Sequence, residues 1–401
     1  MSRPLRLALV INPVAGIGGA AGLAGSDGAA IQYLAAARGF RSQAAERARR
    51  FLAGLAAARV VVTGAGELGG AALATSPVSS ADAEVVARQD PDGHTTSADT
   101  RAVVERALER AVDLIVFVGG DGTARDVLDA VEAAGGTAAG LTTCAAAGAA
   151  GRTAVLGIPS GVKMHSAVFA RSPATAAALV EGWDPAGDGT RPGDVADIDE
   201  AARRAGTVSA RLYGVLPVPD RPLQLQGGKI GTAGPTAGSH WGLARELQLE
   251  LDPAKAWIFG PGSTVRGAAA ELDADYGLGD LSLLGVDVSV PGAGRRRLWR
   301  DCDARTLERL VAEQAVQLVL SPIGGQGFLL GRGNQQLRPE LLERLAPADF
   351  IVIATPAKLG ELRGGPLYID SGSDRVDRRF AGYLRVHTGP HETAMVRIMA
   401  A

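Results

Sequence analysis

The sequence predicts an α/β protein whose first half forms a Rossmann-like parallel sheet covered by helices. Apolar runs of strand length alternate there with stretches of helical periodicity, which is the pattern of a parallel sheet. Three of these apolar runs end abruptly in glycine-rich or polar turns. Ligands of such sheets bind outside the carboxyl ends of the strands, so these turns are the expected location of a site.

The elements of the first half follow from the positions of the apolar residues. A helix is also expected between the second and third strands. The predicted strands cover residues 5–11, 59–63, 83–88, 114–118 and 154–158, and the predicted helices cover residues 42–57, 100–111 and 124–134, with another helix starting at about residue 163. The glycine- and alanine-rich residues 135–152 are expected to form a surface insertion without a function.

The second half is less regular, and its pattern predicts a mixed α+β lobe. A polar segment rich in glycine and proline begins at residue 184, which predicts one lobe over residues 1–183 and another over residues 184–401. Strand-like runs lie at residues 208–218, 255–259, 281–290, 316–320, 349–354 and 381–386.

Composition restricts the class of protein. A chain of 401 residues is long enough for two domains, because single cores stop growing at roughly 250–300 residues. The net charge of −2 offers no basic field for nucleic acid or for anionic lipid, and no apolar run approaches the roughly 18 residues of a membrane span. The two cysteines, Cys144 and Cys302, have neither disulfide nor metal spacing. We therefore expect a cytoplasmic protein with two lobes that binds neither nucleic acid nor membrane.

The turn after the fourth strand places a carboxylate where a phosphate site is expected. It reads Gly119-Gly120-Asp121-Gly122-Thr123 and joins the strand to a helix. A strand, a glycine turn and a helix together bring backbone N–H groups against phosphate. That environment repels an acid unless the acid is a base beside a phosphoryl group or a ligand of the magnesium on that phosphate. The alternative is a solvated turn aspartate followed by a threonine cap.

Two other strand exits are expected beside this turn, at residues 12–16 and 159–163. Arg125 and Lys163 are the cations nearest to the turns in sequence. The helix dipole disfavours a lysine at a helix start, and a bound phosphate would remove that conflict. The alternative is that Lys163 is a solvated surface residue. The candidate phosphate-binding residues at the three exits are Asn12, Gly16, Gly119, Gly120, Gly122, Thr123, Ser160, Gly161 and Lys163.

The second half adds candidates for the recognition of a nucleotide. The amides of Asn334 and Gln335 suit a nucleobase edge or ribose hydroxyls, and the alternative is a hairpin with polar turn residues. Thr355 and Lys358 end another strand with a hydroxyl and a cation.

The histidines are less informative. His165 is interpreted either as a phosphate contact or general acid/base, or as a neutral packed side chain. His387 and His391 are four residues apart, but Gly389 and Pro390 break any helix between them, so no metal site is predicted there. The carboxylates of Asp194, Asp197, Asp199 and Glu200 are interpreted as a solvated face or a helix start, and a metal site is the alternative.

These motifs resemble a known family. Gly-Gly-Asp-Gly-Thr after an apolar strand resembles the hallmark of the superfamily of NAD kinases, diacylglycerol kinases and sphingosine kinases. Longer segments are similar to the ATP-NAD kinase-like branch, which includes relatives of the acetoin-catabolism protein X. These segments cover residues 12–16, 157–166, 260–266 and 324–336.

The resemblance implies a fold and a site. It implies an α/β N-terminal lobe, a β-rich C-terminal lobe, an active site in the cleft, often a homo-oligomer, and an arrangement in which the last residues can return to the first lobe. Asp121 would be the base that activates the adenosine 2′-hydroxyl of NAD, and the glycines of the turn with Thr123 would line the phosphate site. Asn334-Gln335 is the counterpart of an Asn-Glu or Asn-Asp pair, and Thr355-Pro356 is the counterpart of the start of a Thr-Pro-Thr-Gly-Ser-Thr segment; both depart from the family pattern.

The function expected from the residues and the resemblance together is phosphoryl transfer to an alcohol. The donor would be ATP, another nucleotide triphosphate or polyphosphate with Mg2+, and the acceptor would be the 2′-hydroxyl of NAD or NADH. Two alternatives are kinase action on another small hydroxyl compound or a lipid, and a non-catalytic dinucleotide-binding regulator.

Overall fold

The computed structural model describes residues 4–23, 28–56, 58–78, 83–88, 95–135, 153–161, 164–198, 210–221, 225 and 239–401. The chain forms two compact units, the first from residues 1–16 and 41–228 and the second from residues 17–40 and 229–401. The boundary predicted between residues 183 and 184 does not coincide with a boundary of these units, and as a division between lobes of the sequence it stays a prediction.

The first part of the chain alternates strands and helices as predicted. The strands are β1 (Arg6–Ile11), β2 (Arg59–Gly64), β3 (Glu84–Val86), β4 (Leu114–Gly119), β5 (Ala154–Pro159), β6 (Thr190–Ile198) and β7 (Ala210–Pro219). The helices are α1 (Ile17–Ala20), α2 (Ala29–Ala37), α3 (Ala44–Ala53), α4 (Gly70–Ala74), α5 (Ser97–Glu109), α6 (Asp121–Ala133) and α7 (Pro173–Gly182), with a 3-10 turn at Gly66–Leu68.

The first unit is built on a five-stranded parallel sheet with the strand order β3-β2-β1-β4-β5. Every residue of β4, an inner strand, is buried, as expected for a strand with helices on both faces. Every residue of the edge strand β5 is buried as well, and Gly157 of β5 forms a bridge with Phe169. The strands β6 and β7 form a separate antiparallel pair. The predicted α/β class and the parallel sheet of the first half are confirmed.

The helix predicted from about residue 163 is wrong. Residues 162 and 163 lie outside the described part of the chain, and residues 164–166 have no regular secondary structure. The amides of His165 and Ser166 donate to a side chain, Asp121, so they are not used in a helix. The next helix, α7, begins only at Pro173, where Ser172 caps it.

The second part of the chain supplies most of the second unit. Its strands are β8 (Ala256–Phe259), β9 (Asp287–Val290), β10 (Arg297–Trp299), β11 (Val316–Leu320), β12 (Phe328–Leu330), β13 (Phe350–Ile353), β14 (Leu367–Ile369), β15 (Gly382–Gly389) and β16 (Glu392–Ala400). Its helices are α8 (Ser239–Glu250), α9 (Ser263–Ala270), α10 (Asp273–Tyr276), α11 (Ala304–Glu313), α12 (Pro339–Leu342), α13 (Pro356–Gly360) and α14 (Asp374–Phe380), with a 3-10 turn at Pro347–Asp349.

The second unit contains a nine-stranded mixed sheet with the order β10-β9-β8-β11-β13-β15-β16-β14-β12. The four central strands β8, β11, β13 and β15 are parallel to one another. The last residues of the chain form β15 and β16 of this sheet, and their return to the first lobe stays a prediction. The hairpin considered around Asn334 is wrong, because β12 pairs with β14 in parallel.

Residues 17–40 belong to the second unit through a small apolar cluster. Ile17, Ala20, Ala35 and Phe40 pack with Ala304 at the start of α11. Within the described ranges, no helix combines the length and the hydropathy that crossing a membrane requires.

Candidate active site

Three strand exits of the first unit meet in the structure. Asn12 follows β1, and its side-chain amide donates to the Thr123 hydroxyl of α6 at 2.9 Å. The backbone amides of Ser160 and Gly161, which follow β5, donate to the carbonyl of Gly119 at 2.8 and 3.2 Å. Because β1, β4 and β5 are neighbours in one parallel sheet, their carboxyl ends lie at the same edge.

Two of the glycines at this edge allow neighbouring segments of the chain to approach each other more closely than a side chain would permit. A Cβ on Gly119 would lie 2.3 Å from the Thr123 hydroxyl oxygen, so no larger residue fits between β4 and α6. Gly16 has a φ of +72°, and a Cβ there would lie 2.0 Å from the carbonyl oxygen of Ser160. Gly120 precedes α6, whereas a Cβ on Gly122, the second residue of α6, would meet open space.

Asp121 is the first residue of α6, and it is only 3% exposed. Its Oδ2 accepts from the backbone N–H of His165 at 2.7 Å and lies 3.0 Å from Nδ1 of the same histidine. Its Oδ1 accepts from the backbone N–H of Ser166 at 3.0 Å and from the Ser166 hydroxyl at 2.8 Å. The alternative of a solvated turn aspartate is therefore wrong.

The imidazole of His165 is held in one orientation by this carboxylate. Because a carboxylate accepts hydrogen bonds, this contact directs Nδ1 toward Asp121 and Nε2 away from it. The ring is buried, and Nε2 makes no hydrogen bond with any residue that the structure describes. A carboxylate that orients an imidazole in this way is an arrangement used for proton transfer.

The predicted cations contribute less to this edge. Arg125 lies 3.3 Å from Asp197 and stacks over the ring of Tyr213, so it contacts the β6–β7 pair. Lys163 lies outside the described residues, and the argument that placed it at a helix start no longer holds.

The sequence matches two domains of one family. Residues 7–183 match the ATP-NAD kinase N-terminal domain, and residues 258–398 match the ATP-NAD kinase C-terminal domain. The chain belongs to the ATP-NAD kinase family. It is therefore a kinase-type enzyme, an NAD kinase-type phosphotransferase in general terms. The narrower resemblance to relatives of the acetoin-catabolism protein X stays a prediction.

Comparison with curated proteins and with solved structures gave no significant match for this family member.

The candidates in the C-terminal domain of this family member have structural partners within the second unit. Asn334 is buried, and its side chain accepts from the amide of Gly331 and donates to the carbonyl of Leu329, both at 2.9 Å. Its amide group therefore closes the turn after β12. Gln335 is half-buried beside it.

Lys358 and Thr355 lie at the exit of β13. Thr355 caps α13 and accepts from the amide of Lys358 at 3.3 Å. The buried ammonium of Lys358 donates to the hydroxyls of Thr264 at 2.8 Å and of Ser321 at 3.1 Å. These hydroxyls follow β8 and β11, so three neighbouring parallel strands also end around one lysine.

The sequence analysis missed several partners. Ser166 lies within a quoted family segment but was given no role, and Thr264 and Ser321 were recognisable only as hydroxyls that follow apolar strands. Their common signal is a polar residue after a strand, which is weak by itself because most such residues are solvated or cap a helix.

Another aspartate of α6, Asp126, lies in a different environment. Asp126 lies five residues after Asp121, 3.4 Å from Arg101. Burial raises the pKa of Asp126 from 3.8 to about 6, and Arg101 opposes this shift. Asp126 makes no contact with the turn that carries Asp121 in any interaction described for it, so it provides a matched comparison for that residue.

We predict that Thr123→Val destabilises the protein by about 0.5–1.5 kcal/mol, because the partly buried side-chain amide of Asn12 then loses its acceptor. Thr123→Ser keeps the hydroxyl and should lose less. The free energy of unfolding in urea measures both variants. Equal losses in the two would show that the Asn12–Thr123 hydrogen bond does not contribute to stability.

We predict that Asp126→Asn changes the pH dependence of stability. The folded protein holds the Asp126 proton up to a pH of about 6, whereas the unfolded chain releases it near 3.8. The wild type therefore loses stability as pH rises between these values, and the variant does not. The free energy of unfolding of the variant minus that of the wild type, measured in urea, should be smallest at pH 4 and largest above pH 6. A difference that is the same at every pH would contradict the raised pKa.

Proposed function

We propose that the protein transfers a phosphoryl group from ATP, another nucleotide triphosphate or polyphosphate to the adenosine 2′-hydroxyl of NAD or NADH. The product would be NADP or NADPH. The observation that carries this proposal is the buried carboxylate of Asp121 on a glycine turn where three strand exits meet, in a member of the ATP-NAD kinase family. We also propose that the enzyme acts in the cytoplasm as a homo-oligomer.

The reaction needs a proton acceptor beside the attacking hydroxyl. The 2′-oxygen forms a bond to the transferred phosphorus, the bond between that phosphorus and the donor's leaving oxygen breaks, and the hydroxyl proton goes to Asp121. Positioning and charge stabilisation supply most of the catalysis in phosphoryl transfer. Asp121 is suited to positioning, because four donors at 2.7–3.0 Å hold its two oxygens.

The same four donors bear on the role of Mg2+. A carboxylate has about four acceptor positions, and donors occupy them at Asp121. This arrangement does not fit a direct metal ligand, since N–H and O–H groups already point at both oxygens. We therefore propose that Mg2+ enters on the phosphates of the donor.

The donors also define how the substrate would reach Asp121. The acceptor hydroxyl would replace one of the two side-chain donors, His165 Nδ1 or the Ser166 hydroxyl, since the two backbone amides are fixed by the chain. The Ser166 hydroxyl is also tied to the backbone of Ala196 at 2.9 and 3.1 Å. His165 has no such second tie among the described residues, so its ring is the donor more readily displaced.

The remaining candidates are proposed as ligand contacts. Asn12, Gly16, the glycines of the turn, Thr123, Ser160, Gly161 and Lys163 would contact phosphate. In the second half, Asn334, Gln335, Thr355 and Lys358 would contact the dinucleotide or its phosphates. The internal hydrogen bonds of the Asn334 side chain favour a role for its backbone and its loop over direct reading of a base.

We predict that Asp121→Asn lowers turnover by about 100-fold or more, the scale of a positioned base, with little change in the Kd of the dinucleotide. Asp126→Asn makes the same change of charge on the same helix and should keep turnover within a few-fold of the wild type. Steady-state kinetics and calorimetric binding measure both variants. An Asp121→Asn enzyme with unchanged turnover would remove Asp121 from the mechanism.

His165→Gln separates two paths for the proton. If the proton goes directly to Asp121, this variant keeps turnover within about ten-fold, since only an orienting contact is lost. A loss as large as that of Asp121→Asn, together with loss of the lower apparent pKa in the pH profile of kcat, would assign the proton to Nε2 of His165.

A matrix of donors against acceptors tests the function itself. ATP, other nucleotide triphosphates and polyphosphate are each combined with NAD, NADH and a small polyol, and 2′-phosphorylated product is assayed. Product from NAD or NADH supports the proposal. Product from the polyol alone would identify a different kinase, and tight NAD binding without product from any donor would identify a dinucleotide-binding regulator.

A further inference from the structure

A second cluster of ionisable side chains lies in the second unit and takes no part in the proposed reaction. Glu246 and Glu250 are one turn apart on α8, so they lie on the same face of that helix. His387 of β15 faces them, with Nδ1 3.1 Å from Glu246 Oε1 and Nε2 3.9 Å from Glu250 Oε1. Glu246 and His387 are 7% and 3% exposed, so this is a buried cluster rather than a solvated acidic face.

Hydrogen bonding fixes the roles of Glu246 and of the imidazole. Glu246 Oε2 accepts from the backbone N–H of His391 at 2.9 Å, and Oε1 accepts from His387 Nδ1. When Nδ1 donates to Glu246, Nε2 is directed toward the carboxylate of Glu250. Nε2 and Glu250 Oε1 lie 3.9 Å apart, which is too far for a direct hydrogen bond. This separation leaves room for a small cation between the two atoms.

The distances are close to those of a metal site. Zinc binds histidine nitrogen at about 2.0–2.1 Å and carboxylate oxygen at about 2.0–2.2 Å, so two ligands of a tetrahedral site lie roughly 3.4 Å apart. His387 Nε2 and Glu250 Oε1, at 3.9 Å, are slightly further apart than this. A histidine ligand usually donates its other N–H to a carboxylate, which is the relation between His387 and Glu246. The ligand atoms of all three side chains lie within 4.8 Å of one another.

We propose that Glu250 and His387 bind a divalent transition-metal ion, with Glu246 orienting His387. Imidazole selects zinc, cobalt or nickel over magnesium, so this ion would differ from the Mg2+ of the phosphoryl donor. The Glu250 side chain is 34% exposed, and water reaches the ion from that side to complete its coordination. Arg385, 3.9 Å from Glu250 Oε1, lies at this opening and keeps the site's affinity below that of a closed structural zinc site.

The ion would link α8 to the strand β15. Since it binds the folded unit and not the unfolded chain, it should raise the melting temperature in proportion to the logarithm of its concentration above Kd. The proposal does not depend on the function of Asp121, because both the residues and the readout belong to the second unit.

The test uses the full chain after dialysis against EDTA. Zn2+ and Co2+ are titrated by calorimetry and thermal melting, Co2+ is also followed by its visible absorption, and Mg2+ serves as the control ion. We expect one saturable Zn2+ site and a rise in melting temperature that Mg2+ does not produce. Glu250→Gln should weaken binding at least ten-fold, and Glu246→Gln should weaken it by about 10–100-fold, the usual effect of a group that orients a ligand.

Glu313→Gln is the matched control, because it removes an exposed carboxylate of the same unit and should leave the affinity unchanged. Because Glu250 is partly exposed, we expect its variant to fold, so the test does not depend on substitution of the buried His387. Equal affinity in wild type and Glu250→Gln would overturn the proposal. It would also be overturned by nitrogen NMR that finds both nitrogens of His387 protonated at neutral pH and unaffected by Zn2+.

Discussion

The hydrogen bonds of Asp121 hold together the part of the first unit on which the site depends. A buried charge is costly unless polar groups surround it, and four donors do so here. Those donors come from two consecutive residues, His165 and Ser166, which lie 44 and 45 positions further along the chain. The start of α6 is thereby tied to the chain that leaves β5. Thr123, half a turn further along α6, extends the same connection to Asn12 and β1.

Much of the first unit could be predicted because its sequence signals are local. The strands β1, β2, β4 and β5 are continuous apolar runs, and such runs between glycine or polar turns predict buried parallel strands. The prediction of a helix near residue 163 was wrong because the decisive contact there is not local. The amides of this segment bond to a carboxylate more than forty residues away, and no local pattern reports such a contact.

Some strands of the second unit could not be predicted from the sequence pattern. The strand β14 has three residues, and β16 is largely exposed, so neither carries a strong apolar signal. Both form because they pair with each other, while β16 also pairs with β15 and β14 also pairs with β12. The same limit applies to His387. The prediction that no helix joins it to His391 is confirmed, since His387 lies in β15, but its partner Glu246 lies 141 positions away.

Two described histidines share one design and differ at the far side of the ring. In both, a buried carboxylate lies within hydrogen-bond distance of Nδ1 and directs Nε2 to the opposite side. At His165 that nitrogen makes no hydrogen bond with the described residues, which suits a transient proton. At His387 it lies 3.9 Å from a second carboxylate, that of Glu250, which suits a bound cation. The carboxylate beside Nδ1 thus orients each ring, and the surroundings of Nε2 distinguish the two sites.

The grouping of residues 17–40 with the second unit has a consequence for dissecting the enzyme. Each unit is discontinuous in the chain, since the first is assembled from residues 1–16 and 41–228 and the second from residues 17–40 and 229–401. A C-terminal fragment would leave Ala304 without the apolar side chains that pack on it, and an N-terminal fragment would carry an unpartnered insertion. Neither unit can be isolated by a single cut of the chain. During translation, the first unit cannot finish folding before the ribosome has synthesised more than half of the protein.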